Sequence, residues 1–164
     1  MTNGGMEMPT LEIFDQHNGF LSFDLHDILE VIEPFASQLC WYVIEFEPAV
    51  VSAAESNGKG SPPSWVTELW QKSETGVVQC LSWTRLKKLS TYVTQTRNAL
   101  FVAIDPGTPA PDPSLDPNDE RYRLVIQAVD TTFWAVTTRA ENVLPALKKR
   151  FNDVKLQSAT KRYF

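Results

Sequence analysis

Residues 121–154 (RYRLVIQAVDTTFWAVTTRAENVLPALKKRFNDV) constrain the fold more than any other stretch. Tyr122, Leu124, Ile126 and Ala128 alternate with Arg123, Val125, Gln127 and Val129, the period of two that a strand requires. Asp130-Thr131-Thr132 supplies a tight turn, and the returning strand sets Trp134 and Val136 against Phe133 and Ala135. The spacing then becomes helical, with Val143, Leu144, Leu147 and Phe151 on one side. Lys148, Lys149 and Arg150 fall in the last turn, where cations suit the negative helix end. Two starts fit this helix: Thr138 with Glu141 as a capping box, or Asn142 as cap with Pro145 in the first turn. A hairpin followed at once by an amphipathic helix commits the chain to a sheet covered by helices.

The segments upstream extend that unit. Asn18-Gly19 is the dipeptide best suited to a type I′ hairpin between Leu11 and Phe23. Asp24 and Asp27 open a helix whose stripe is Leu25, Ile28, Leu29 and Ile32, and Pro34 predicts its end at Glu33. LCWYVIEFE (39–47) is apolar on both faces until Glu45 and Glu47, as in a central strand. After the loop ESNGKGSPP, Ser64 caps a short helix to Ser73 that carries Trp65 and Trp70. Residues 77–81 form a short strand, and Ser82 caps a helix with Trp83, Leu86, Leu89 and Val93 on one side. ALFVAI (99–104) is a further buried strand.

Residues 105–120 (DPGTPAPDPSLDPNDE) hold five prolines and five acids, which exclude helix and central strand. They read first as a mobile surface loop and second as a binding element. The order predicts an α+β fold: a largely antiparallel sheet of about five to six strands packed by about four helices, ending in the hairpin and a C-terminal helix. A single domain over 11–156 is expected, with a flexible start at 1–10 and a tail at 157–164.

Charge is distributed unevenly. Residues 139–164 carry 7 Lys/Arg against 2 Asp/Glu, and the rest carries 8 against 18, so an acidic body ends in a basic segment. An acidic body repels nucleic acid and attracts cationic partners. No stretch approaches the ~20 apolar residues of a membrane helix. The start lacks the pattern of a secretory signal, and Cys40 and Cys80 in apolar runs read as buried, reduced thiols; a cytoplasmic protein is expected.

The search for chemistry excludes more than it finds. There is no GxxxxGK[ST], GxGxxG or GxSxG, and His17 and His26 lack partners at metal-ligand spacing, so no cofactor or metal is expected. Glu45 and Glu47 form a carboxylate pair on one strand face, which with Asp130 would serve an enzyme of unrecognised type if a cleft gathered them. Arg139, Lys148, Lys149, Arg150, Lys155, Lys161 and Arg162, with Tyr163 and Phe164 to stack on bases, would serve a nucleic-acid-associated protein. The acidic body and the helix dipole both count against that second alternative.

VIQAVDTTFWAVTT leading into a helix that ends KKRFNDVKL resembles the C-terminal half of small bacterial immunity-type proteins, over residues 76–156. The resemblance implies a small, acidic, non-enzymatic cytoplasmic domain that covers the active site of a polymorphic toxin. It carries over no functional residue, and the proline-rich insertion and basic tail depart from it. The leading expectation is therefore a protein-binding module for a basic partner such as a toxin domain. Asp112, Asp116, Asp119 and Glu120 would steer the partner, with Glu45 and Glu47 beside them and Trp65 or Trp70 as apolar anchor.

Overall fold

A computed structural model describes residues 8–51, 62–158 and 162–163; most of the ESNGKGSPP loop, Lys161 and Phe164 lie outside the described residues. In chain order the elements are β1 (Thr10–Ile13), β2 (Gln16–His17), β3 (Phe20–Leu21), α1 (Leu25–Ala36), β4 (Cys40–Val51), α2 (Ser64–Glu74) and β5 (Gln79–Leu81). They continue as α3 (Trp83–Tyr92), β6 (Val93–Ile104), β7 (Tyr122–Val129), β8 (Phe133–Thr138), α4 (Val143–Arg150) and β9 (Val154–Gln157). Seven strands pair in the order β5–β4–β6–β7–β8–β1–β9, every neighbour antiparallel, and β2–β3 form a separate ribbon. The fold class is α+β.

All four helices lie on one face. Leu25, Ile28, Leu29 and Ile32 of α1, Val66 and Leu69 of α2, Leu86 and Leu89 of α3, and Leu144 and Leu147 of α4 close over Trp41, Val43, Phe101, Ile126 and Trp134. Polar ties fix the helices to this core. The Trp83 indole and the Lys87 ammonium both donate to Glu33, at 3.2 and 2.8 Å, joining α3 to α1. The buried Ser73 hydroxyl of α2 accepts from Phe46 N–H at 3.2 Å and shares its proton between Phe46 O and Trp70 O, each at 2.9 Å. Those bonds occupy the outer edge of β4 beyond the reach of β5, an edge otherwise open to a foreign strand.

The opposite face has a different cover. Ile44, Leu100, Val102, Ile104 and Val125 pack beneath Met8, Leu115 and Tyr122. The proline-rich segment is thus a lid on this face: Leu115, Pro111 and Pro117 are buried while its acids turn outward.

Several elements depart from expectation for identifiable reasons. Helix α1 runs through Pro34 to Ala36. The bond that proline forfeits would have gone to the carbonyl of Glu30, on the exposed side of the helix, where its loss costs least. Ser64 is the first residue of α2 rather than its cap. Residue Val143 begins α4, with Asn142 at the cap position, so the Thr138 start is not used; the Thr138 hydroxyl instead accepts from Ala140 N–H. Strand β6 starts at Val93, six residues before the apolar run. The flexible start expected through residue 10 is structured from Met8, which is fully buried, and Gln157 of the expected tail closes β9. A β-bulge after Val43 breaks the alternation of β4, so Phe46 joins Trp41 and Val43 under the helices instead of continuing the Cys40–Tyr42–Ile44 face. Cys40 is half-buried and Cys80 exposed, both as free thiols, where burial was expected for each.

Candidate functional site

The bulge in β4 delivers Glu45 to the face away from the helices, where the guanidinium of Arg162 stands 3.6 Å from it. The same guanidinium donates to the carbonyl of Pro113 at 2.8 Å, so one cation links Glu45 to the acidic lid. Glu47, two residues on, accepts from Arg97 and from the Asn98 amide, each at 3.2 Å. The Asn98 side-chain oxygen in turn accepts from Asp130 N–H at 2.9 Å. Glu47 and Asp130 therefore meet through Asn98, and Glu45 is held elsewhere by Arg162.

The lid acids organise their own turns. Asp112 accepts from the backbone and hydroxyl of Ser114, at 2.8 and 2.7 Å, and Asp116 accepts from Asn118 N–H at 2.9 Å. Asp119 takes a two-pronged contact from Arg121 at 3.0 and 2.8 Å. The Ser114 N–H lowers the pKa of the Asp112 carboxyl from its ordinary value, and hydrogen bonding from the Arg121 guanidinium does the same for Asp119. Asp112, Asp116 and Glu120 are exposed and Asp119 is half-buried. Glu45 and Glu47 thus stand on the same face of the sheet that the lid covers through Leu115.

Trp65 and Trp70 do not join them. Both are half-buried on the helical side, Trp65 edge-on to Tyr92 at 6.4 Å and beneath the Arg85 guanidinium at 4.7 Å. They finish the core around α2 rather than projecting toward the acids.

A second polar cluster, not expected from the sequence, lies where the start of α1 meets the end of α3. A broad-mouthed cavity of about 460 Å³ is lined by Phe23, Asp24, His26, Asp27, Ser90 and Val93 among others. Asp24 is buried, accepts from the Thr96 hydroxyl at 2.9 Å and from Thr96 N–H at 3.3 Å, and is pushed up to about 6 by burial, against those hydrogen bonds. The buried Trp134 indole N–H draws the same carboxyl slightly downward, although the pair falls outside hydrogen-bond geometry. His26 lies 3.4 Å from the Ser90 hydroxyl through Nδ1 and 3.1 Å from Glu30 through Nε2, the residue types of a hydrolytic triad. The Ser90 proton, however, goes to the Lys87 carbonyl at 2.6 Å inside α3. The serine is thus a back-bonded helix residue, with its proton turned away from the imidazole that would have to remove it.

Several of the basic residues are engaged within the fold. Arg150 pairs with Asp27 at 3.1 Å, Arg139 donates to Asn118 O at 3.2 Å, and Arg162 is engaged as described, while Lys148, Lys149 and Lys155 are exposed. Among the described residues no three His, Cys, Asp or Glu side chains gather to hold a metal, and no helix is long and apolar enough to cross a membrane. Compared with known proteins, the chain matches no protein-family model, no curated protein and no solved structure.

Proposed function

We propose that the chain is a non-enzymatic protein-binding module whose acid-bearing face meets a basic partner, and that the partner is a bacterial toxin domain neutralised in the cytoplasm, as the immunity-type resemblance implies. The observation that carries this reading is that Glu45 and Glu47 of β4 stand on the face covered by the acidic lid, with Arg162 bridging Glu45 to the lid at Pro113 O. Arg162, seated between Glu45 and Pro113 O, is an internal example of the cation such a face accepts. The net charge of −5 adds long-range attraction, which raises association rate more than affinity.

A pull-down from the source cell with the wild-type chain and with an Asp112→Lys/Asp116→Lys/Glu120→Lys variant tests the proposal. The wild type is expected to retain a basic protein that is released at about 1 M salt, where charges are screened beyond about 3 Å, and that the variant does not retain. Recovery of the same proteins by both chains, or of no protein by either, would remove the basis for the reading.

A further inference from the structure

The face away from the helices is covered by two unlike materials. Over β4 and β6 the cover is apolar, with Leu115, Met8 and Tyr122 on Ile44, Leu100, Val102 and Ile104. Over β7, β8, β1 and β9 the sheet presents a polar strip instead. Thr10, Glu12, Gln127 and Thr137 are all buried, and Gln157 flanks them. The registers place Gln127 opposite Ala135 and Ala135 opposite Glu12, so amide, methyl and carboxylate form one row across three strands. Thr137 and Thr10 form the adjacent row, joined by a 2.7 Å hydroxyl contact.

Tyr163 lies along the first row. Its N–H donates to Gln127 Oε1 at 3.2 Å and its hydroxyl to Glu12 Oε2 at 2.8 Å, while its ring stands edge-on to Phe133 at 5.2 Å. Glu12 also accepts from the Gln157 amide at 2.9 Å. Next to it, Arg162 reaches Glu45 and Pro113 O. The contacts combine backbone capture, one aromatic side chain and one guanidinium, the parts from which sheet surfaces build peptide recognition.

A permanent cover has no need of this chemistry. Burying a carboxylate and an amide is costly unless each is partnered, and apolar groups of the same volume stabilise a closed layer at least as well. This protein uses the apolar solution a few residues away, at Leu115. Polar side chains, by contrast, face water at little cost once uncovered, so the strip is suited to both open and closed states. We propose that the strip formed by Gln127, Glu12 and Glu45 is a docking groove for an extended peptide carrying arginine followed by tyrosine, which Arg162 and Tyr163 occupy in cis until a basic partner's segment of the same chemistry displaces them. This rests on the acid-face reading above and names its mode of contact. Arg162 and Tyr163 belong to the same chain as the strip and so occupy it without the loss of translational freedom that a separate peptide incurs. A successful competitor therefore adds contacts of its own, for which Asp112 and Asp116 stand at the rim.

The test uses a fluorescent peptide of residues 158–164 (SATKRYF), the full chain, and a chain ending at residue 158 whose folding is checked by circular dichroism. The peptide is expected to bind the shortened chain at least about tenfold more tightly than the full chain. Replacing tyrosine by phenylalanine in the peptide should weaken it about tenfold, the scale of one charge-assisted hydrogen bond. Equal binding to both chains, or binding to neither, overturns the proposal. Should the shortened chain fail to fold, the full-length Arg162→Ala/Tyr163→Phe variant replaces it, with the same two outcomes decisive. A concentration-dependent dimer of the full chain that the shortened chain does not form would assign the groove to a second copy and overturn the foreign partner. Because the peptide assay needs no partner, peptide binding combined with a negative pull-down would reject the proposed function alone.

Discussion

Asp24 ties the first turn of α1 to β6, and it does so as a buried acid whose proton the fold holds more tightly than the unfolded chain does. A carboxyl moved from 3.8 to about 6 implies about 3 kcal/mol of pH-dependent stability, at about 1.4 kcal/mol per pH unit. The sign follows from proton binding. Below 3.8 the group is protonated in both states and the full contribution is present; as pH rises toward 6 the unfolded chain ionises first and the contribution is lost; above 6 the loss is complete. Asp24→Asn removes the ionisation and keeps one of the two oxygens that accept from Thr96, so any loss from the other contact is the same at every pH and leaves the pH dependence to the carboxyl. Urea unfolding of wild type and variant from pH ~3.5 to ~7 isolates the group, because all other titrations cancel in the difference. The variant should gain about 3 kcal/mol on the wild type across that range, or about 1.5 M in urea midpoint for a slope of about 2 kcal/mol/M. A difference constant to within about 0.7 kcal/mol, half a pH unit's worth, would refute the assignment of Asp24 as a strained buried acid.

Three further outcomes follow from single contacts. Ser73→Ala leaves Phe46 N–H and O without their side-chain partner at the β4 edge and should cost about 1–3 kcal/mol in urea unfolding. Leu115→Ala should cost about 2–3 kcal/mol and speed proteolysis within residues 105–120, since that side chain anchors the lid. Thr131 sits at φ 57°, a left-handed conformation that a β-branched residue adopts only under constraint. Thr131→Gly should therefore relieve about 1 kcal/mol and raise Tm by roughly 2–4 °C in a thermal melt.

How much of this was legible in the residues depended on whether a local signal stood alone. Ser82 before Trp83 named its helix start, and the period-two run from Tyr122 named β7, because nothing distant competed with either. Asn18-Gly19 likewise formed its turn, both residues at positive φ, although its ladders are only two residues long. Strand β9 was missed because VKLQ is short and half polar; it exists by pairing with β1, and Asp15 secures its entry by accepting from Asn152 and Asp153 N–H at 2.7–3.0 Å. The role of the proline-rich segment was hidden by its composition, since one leucine among prolines and acids does not announce a covering layer. The site was legible in part. The acids were named, but the face on which Glu45 stands depends on a one-residue bulge that no periodicity forecasts. Glu12 and Gln127 carried a faint signal as polar residues inside largely apolar strands, and the meaning of that signal rests on Tyr163, remote in sequence.

Strand β1 sits between β8 and β9, and its closest side-chain link to β8 spans 127 residues of chain. A ribosome adding about ten residues per second therefore releases Leu11 and Ile13 on the order of ten seconds before their partners emerge. During that interval the nascent chain presents an unpaired apolar strand to whatever is near. Pairing of β1 thus waits until β8 and β9 have left the ribosome, so closure of this edge of the sheet is a late step of folding during synthesis.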